Sequence, residues 1–197
     1  ASELGDMIGL GETDPVELTE HFLSRIEASL IGKKIYNTVT SQLALEQAKD
    51  AKKRAISGRR LSSLDGVPIS WKDLFDIKGY PCEAGSELLA GRLANQNCEV
   101  YNLAEAQGLI CLGKTHMSEL AFSGLGLNPV RETPPCVNYP ESVPGGSSSG
   151  AATSVSFGLA TAGIGSDTGG SVRIPAAWND LVGLKTTAGR LSLDGVV

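Results

Sequence analysis

Histidine, cysteine and net positive charge are scarce in this chain of 197 residues. It has two histidines and four cysteines, and no two cysteines have the C-x-x-C spacing, which argues against a cysteine–histidine zinc site. We expect no metal and no organic cofactor. The formal net charge of -5 argues against nucleic acid as the main partner. The cysteines are expected to be reduced thiols of a cytoplasmic protein.

Long apolar runs are also lacking. No apolar stretch of the sequence is long enough to span a bilayer, so we expect no membrane segment. Residues 1–6 carry no basic side chain, so we expect no signal peptide. The chain is 41% hydrophobic and 20% charged, which is typical of a globular protein. Its length suits about one domain, since domains average ~150 residues.

Hydrophobic periodicity predicts an α/β protein, because helical and strand patterns alternate along the chain. Residues 13–30 form an amphipathic helical pattern, with Asp14 as its cap and Leu30 last on its apolar face. A second helix is predicted over 41–57, and 66–71 reads as a buried strand. Further predictions are a helix over 98–107, a strand over 109–112, a helical turn over 116–122, a surface loop over 128–144 and a small-residue helix ending near 158.

One segment matches the P-loop pattern G-x-x-x-x-G-K-[ST] over residues 108–115. A P-loop needs a strand before its first glycine and a flexible loop between the glycines. Here a helical pattern comes first and the four intervening residues are apolar. A nucleotide-binding module is therefore kept only as an alternative of another functional class.

The run at 146–150 matches G-x-S-x-G, the nucleophile elbow, with Ser148 as nucleophile. That arrangement takes its base from a histidine that follows the serine in the chain. His21 and His116 both precede Ser148, so the expected base is missing from these residues.

Lys72 offers a base that needs no histidine. It follows the apolar strand predicted over 66–71, and burial can make a lysine neutral near physiological pH. A neutral lysine can act as a general base. The simpler interpretation is a surface lysine paired with Asp73 or Asp76.

Three ordered blocks, at 66–73, 145–150 and 165–176, resemble the amidase signature family, and 182–187 continues the similarity. The resemblance runs from about residue 44 to the end of the chain. It implies a mixed twisted sheet flanked by helices, of which 1–197 would be the N-terminal and catalytic-core portion of a single domain whose relatives run further.

The resemblance also implies a catalytic triad. Ser171 would be the nucleophile and Lys72 the base, and the Ser147 hydroxyl would relay the proton between them. The peptide bond between Gly146 and Ser147 would be cis. The backbone N–H groups of the nucleophile loop would bind the oxyanion, and neighbouring side chains would support that loop. The implied oxyanion residues are Thr168, Gly169 and Gly170, together with the N–H of Ser171, and the implied supporting residues are Ser148, Asp167 and Arg173.

The function implied by the resemblance is hydrolysis of a small carboxamide through an acyl-enzyme. A second possibility is the amidase subunit of a glutamyl-tRNA amidotransferase, which would act with partner subunits. A catalytically inactive scaffold with the same fold is a third. The expected partner is a small amide substrate, with a homo-oligomer possible and no direct contact with nucleic acid or membrane.

Overall fold

A single four-stranded sheet organises the computed structural model of the chain, which describes residues 1–197. The strands are β1 (Tyr36–Val39), β2 (Pro68–Lys72), β3 (Ile110–Thr115) and β4 (Gly163–Ile164). The α-helices are α1 (Ser2–Gly9), α2 (Pro15–Ala28), α3 (Gly32–Ile35), α4 (Ser41–Ile56), α5 (Glu99–Ala106), α6 (Ser149–Ser156) and α7 (Arg173–Trp178). Single 3-10 turns lie at Glu87–Leu89 and Glu119–Ala121.

The strand order is β1–β3–β2–β4, and the sheet is mixed. Strand β2 runs parallel to β3 and β4, whereas β1 is antiparallel to β3. Lys72 pairs with Thr115, so these two residues end neighbouring parallel strands at the same edge of the sheet. The predicted α/β class is therefore confirmed.

Helix α2 begins where the sequence predicted and ends earlier. The side chain of Asp14 accepts a hydrogen bond from the Val16 N–H at 2.8 Å, which satisfies one of the free donors of the first turn. Phe22 and Ile26 are buried, as their periodicity predicted. Leu30 lies beyond the helix and is fully exposed, so its predicted place on the apolar face was wrong.

Helix α4 packs closely on the sheet because its inner face is made of alanine. Ala44, Ala48 and Ala51 are almost completely buried, and the first two contact Ile110 of β3. The predicted helix over 98–107 is observed as α5. The predicted turn at 116–122 is shorter than expected and contains only one 3-10 turn.

The candidate P-loop does not have the structure of a P-loop. Residues 110–115 form the buried strand β3, so they cannot wrap around a phosphate. Lys114 is completely buried; its Nζ lies 2.9 Å from Asp73 Oδ1 and donates to the Pro81 carbonyl oxygen at 2.7 Å. The nucleotide-binding alternative is therefore unsupported.

All four cysteines are buried free thiols. Among the helices, none has both the length and the apolar composition that crossing a membrane requires.

Candidate active site

Lys72 ends strand β2 inside the protein rather than at the surface. Its side chain is 0% exposed, and the preceding Trp71 is also buried. Burial disfavours the charged amine and lowers the pKa of Lys72 to about 7, although the negative charge of Asp167 partly opposes this shift. Asp73 and Asp76, the carboxylates nearest in sequence, are paired with other basic residues.

Two serine hydroxyls contact the Lys72 amine. Its Nζ lies 2.6 Å from Ser147 Oγ and 2.8 Å from Ser166 Oγ. Ser147 is 0% exposed, and the Gly146–Ser147 peptide bond is cis. The Ser147 carbonyl oxygen accepts a hydrogen bond from the Ser118 N–H at 3.1 Å. The site therefore holds an amine with a lowered pKa against a buried hydroxyl.

The segment before Ser147 is held by backbone hydrogen bonds. The Gly146 N–H donates to the Gly124 carbonyl oxygen at 2.8 Å, and the Gly145 N–H donates to that of Leu125 at 3.0 Å. A Cβ atom at position 146 would lie 2.6 Å from the backbone nitrogen of Gly126. Glycine is required here because the two backbone segments approach too closely for any side chain.

Ser148 is not placed as a nucleophile elbow would place it. An elbow presents its serine hydroxyl to the substrate, whereas Ser148 is 2% exposed. Its Oγ donates to the Ser166 carbonyl oxygen at 3.3 Å, and its N–H donates to that of Ser171 at 3.1 Å. Ser148 therefore connects the loop before α6 to the loop before α7.

Asp167 organises the loop that precedes α7. Its carboxylate accepts hydrogen bonds from the Arg173 guanidinium, at 2.9 Å on each oxygen, and from the N–H groups of Gly170, Val172 and Arg173. The Arg173 bonds, assisted by those backbone donors, hold the pKa of Asp167 well below its usual range. The loop is thus wrapped around one carboxylate.

Ser171 lies half-buried in this loop. Its backbone oxygen accepts the bond from Ser148, but its hydroxyl forms no hydrogen bond with Lys72 or Ser147. The structure brings the Lys72 and Ser147 side chains into contact and brings Ser171 to the same region through its backbone.

The predicted oxyanion donors are not equivalent in the structure. The Gly170 N–H is already bonded to Asp167 Oδ1 at 2.8 Å. Gly170 has a φ of +131°, and a Cβ there would lie 2.8 Å from Ile174 Cδ1. The N–H groups of Thr168, Gly169 and Ser171 have no acceptor within the protein, so these three could bind an anionic oxygen.

Two residues of the site were not recognised from the sequence. Ser166 lies in the block at 165–176, but the sequence pattern there does not distinguish a serine that contacts a lysine from a serine in a turn. Asn179 is 1% exposed and bonds the carbonyl oxygens of Pro144 and Pro175 and the N–H of Val137. No local pattern in the sequence marks Asn179 as the residue that joins these segments.

Comparison with known proteins assigns the chain to a family. The model of the family described as "Amidase" matches residues 17–197. The chain belongs to the Amidase family. That match includes every candidate residue discussed above, from Lys72 to Asn179.

A curated relative is a glutamyl-tRNA(Gln) amidotransferase subunit of Anaeromyxobacter dehalogenans (strain 2CP-C), which is 41% identical over 197 residues, covering 99% of this chain and 40% of the relative. The chain spans about two fifths of the length of the curated relatives it matches. The native peptide amidase from Stenotrophomonas maltophilia superposes with a TM-score of 0.91 at 31% identity, covering 99% of this chain and 41% of that one. A fatty acid amide hydrolase gives a TM-score of 0.87 at 26% identity, covering 100% and 35% of the respective chains.

Proposed function

We propose that the protein hydrolyses a carboxamide C–N bond, with Ser171 as nucleophile, Ser147 as proton relay and Lys72 as base. The observation that carries this proposal is the 2.6 Å contact between the buried Lys72 amine and the Ser147 hydroxyl, in a chain of the Amidase family. The relatives and solved structures that resemble it support the same chemistry, because their names describe amidases, an amide hydrolase and an amidotransferase subunit.

The reaction follows from the chemistry of these three side chains. Ser171 Oγ attacks the amide carbon, its proton passes to Ser147, and the Ser147 proton passes to neutral Lys72. Collapse of the tetrahedral intermediate breaks the C–N bond, and the leaving nitrogen takes the proton back along the same relay. Water then attacks the Ser171 ester with the same assistance, which releases the carboxylic acid and regenerates the hydroxyl.

Charge on the tetrahedral oxygen would be stabilised by preorganised donors. The N–H groups of Thr168, Gly169 and Ser171 are the candidates because they have no other acceptor in the protein. The Gly170 N–H contributes to the shape of the loop through its bond to Asp167. Loss of one donor of this kind typically lowers the reaction rate by roughly 10²–10³-fold.

Labelling with a fluorophosphonate probe, followed by peptide mass mapping, tests the proposal. The probe should modify Ser171 in the parent, and the modification should be lost in Ser171→Ala and greatly slowed in Lys72→Met. Ser148→Ala should still be labelled on Ser171, because Ser148 is not the nucleophile, and Ser142→Ala, at an exposed loop serine, serves as the matched control. Circular dichroism would verify that each variant is folded. Labelling of Ser148, or unchanged labelling of Lys72→Met, would overturn the assignment.

The second candidate function is that of a glutamyl-tRNA amidotransferase subunit. The relatives carrying that name, at 41% and 42% identity, are the observation that favours it. Such a protein would release ammonia from glutamine for partner subunits, whereas an independent amidase would hydrolyse amides alone. Ammonia release from a panel of amides, measured with and without added amidotransferase partner subunits, separates the two. Strict dependence on glutamine and partners favours the amidotransferase function.

A further inference from the structure

The amine of Lys72 has a second hydroxyl partner besides Ser147. Ser166 Oγ lies 2.8 Å from Lys72 Nζ, and Ser166 is 94 residues away from Lys72 in the sequence. No carboxylate and no backbone carbonyl oxygen bonds this amine. The two serines are thus the protein groups that hydrogen-bond to Lys72 Nζ.

This environment restricts where the lone pair of a neutral lysine can lie. A neutral amine has two N–H donors and one lone pair, and a base must direct its lone pair at the proton it takes. Without a second partner, free rotation about the terminal C–N bond would allow either N–H or the lone pair to face Ser147 Oγ. An N–H donated to Ser166 Oγ leaves the lone pair free to face Ser147.

Ser166 is itself held in place by the loops around the site. Its carbonyl oxygen accepts the bond from Ser148 Oγ, and the next residue, Asp167, is anchored by Arg173 and by three backbone N–H groups. The Ser166 hydroxyl therefore approaches the amine from a fixed direction. That direction differs from the direction of Ser147, which comes from the loop before α6.

We propose that Ser166 is a positioning residue that orients the Lys72 amine toward Ser147 and stabilises its protonated form during proton transfer. This inference rests on the proposed function, because it assigns Ser166 a role in the same relay. Among charged groups, Asp167 acts on Lys72 and is in turn paired with Arg173. The neighbouring Asp73 is engaged by Lys114.

The test is the pH dependence of fluorophosphonate labelling in the protein expressed at its full encoded length. In this reaction Ser171 Oγ forms a bond to phosphorus, fluoride leaves, and the serine proton passes to the relay. Ser166→Ala should slow labelling on the high-pH plateau by roughly 10- to 100-fold, which is the effect of one hydrogen bond to a charged group. It should also move the acid limb of the pH–rate profile, the range in which the labelling rate falls with falling pH, to lower pH. The reason is that an acceptor that stabilises the protonated amine has been removed.

Two further variants make the experiment specific. Ser166→Thr keeps the hydroxyl and should restore both the rate and the position of the acid limb. Ser142→Ala, at an exposed loop serine, should behave like the parent. A parent-like profile in Ser166→Ala, a slower plateau with an unmoved limb, or failure of folded Ser166→Thr to restore activity would each overturn the inference.

The same assay separates this inference from the proposed function. If Lys72→Met and Ser171→Ala lose labelling while Ser166→Ala does not change, the relay stands and the role of Ser166 is wrong. If Lys72→Met is labelled like the parent, the relay itself is wrong and the role of Ser166 falls with it.

Discussion

The Nζ atom of Lys72 and the Oγ atom of Ser147 are 2.6 Å apart, and neither side chain is exposed to solvent. A second lysine, Lys114, is equally buried on the adjacent strand but lies 2.9 Å from the Asp73 carboxylate. Carboxylate pairing favours a charged lysine, whereas hydroxyl partners in a buried site do not fully compensate for lost hydration. Lys72 is therefore the candidate base, whereas Lys114 is the ion-pair partner of Asp73.

The first prediction concerns the pH dependence of activity. Because Lys72 has a pKa of about 7 and must be neutral to accept a proton, the rate should fall about tenfold per pH unit below that value and level off above it. The labelling rate constant, measured between pH 5 and pH 9 on folded protein, checks this expectation. A rate that keeps rising toward the ordinary lysine value of 10.5 would contradict it.

The second prediction contrasts the two buried lysines by substituting each with methionine. Lys72→Met should reduce the labelling rate by roughly 10²–10⁴-fold, the usual contribution of a general base. Its free energy of unfolding at pH 7 should be equal to or higher than that of the parent, because a desolvated amine is removed. Lys114→Met should lower the free energy of unfolding by about 3–5 kcal/mol, since it leaves Asp73 buried without its cation.

Urea unfolding at several pH values completes this comparison. Between pH 7 and 10.5 the unfolded chain binds a proton at Lys72 that the folded chain does not bind. The parent should therefore gain stability from this residue as the pH rises through that window, and Lys72→Met should lack that gain. Equal loss of stability in both methionine variants would show that Lys72 is a structural cation as well.

The sequence predicts those parts of the fold and site that depend on local patterns. Asp14 followed by Pro15 is enough to locate the start of α2, because capping and proline geometry are properties of a few adjacent residues. The apolar composition of the strand that ends at Lys72 likewise predicts that this strand is buried. The family blocks then relate Lys72, Ser147 and Ser171, which no local pattern could connect.

Features created by tertiary contacts cannot be predicted from local sequence patterns. Strand β4 has two residues, and it exists because Ser70 and Trp71 of β2 offer it a partner. The contact of Ser166 with Lys72 joins segments 94 residues apart. The engagement of the Gly170 N–H by Asp167 depends on the conformation of the whole loop. None of these has a periodicity or a propensity that marks it in the sequence.

The third prediction tests the close approach at Gly146. Gly146→Ala would place a methyl group 2.6 Å from the Gly126 nitrogen and 2.8 Å from Ser118 Oγ, so the loop must move. A displacement of about 1 Å at Ser147 should reduce the labelling rate by roughly 10²-fold. Gly9→Ala is the control, because its methyl group meets only the flexible end of Arg60. Parent-like labelling of Gly146→Ala would show that the loop tolerates the shift.

The fourth prediction concerns Asp167, the carboxylate at the centre of the loop before α7. Asp167→Asn removes the charge that opposes deprotonation of Lys72, so the acid limb should move to lower pH. It should also slow labelling by roughly 10²-fold, because the bonds that shape the loop around Ser171 are weakened. Asp50→Asn, at an exposed carboxylate on α4, should change neither property. An acid limb that stays in place would mean that Asp167 does not act on Lys72.

The fifth prediction tests Asn179, which bonds both the chain segment that leads to Gly145 and the helix that follows Ser171. Asn179→Ala leaves the Pro144 carbonyl oxygen and the Val137 N–H without this partner and should lower the free energy of unfolding by about 1–3 kcal/mol. Asn179→Asp should be at least as harmful, because it replaces the two donated bonds with repulsion between oxygens. Asn102→Ala on the exposed face of α5 should stay within about 0.5 kcal/mol of the parent. Urea midpoints provide the measurement, and a harmless Asn179→Asp would show that a partner other than Asn179 holds these two loops together.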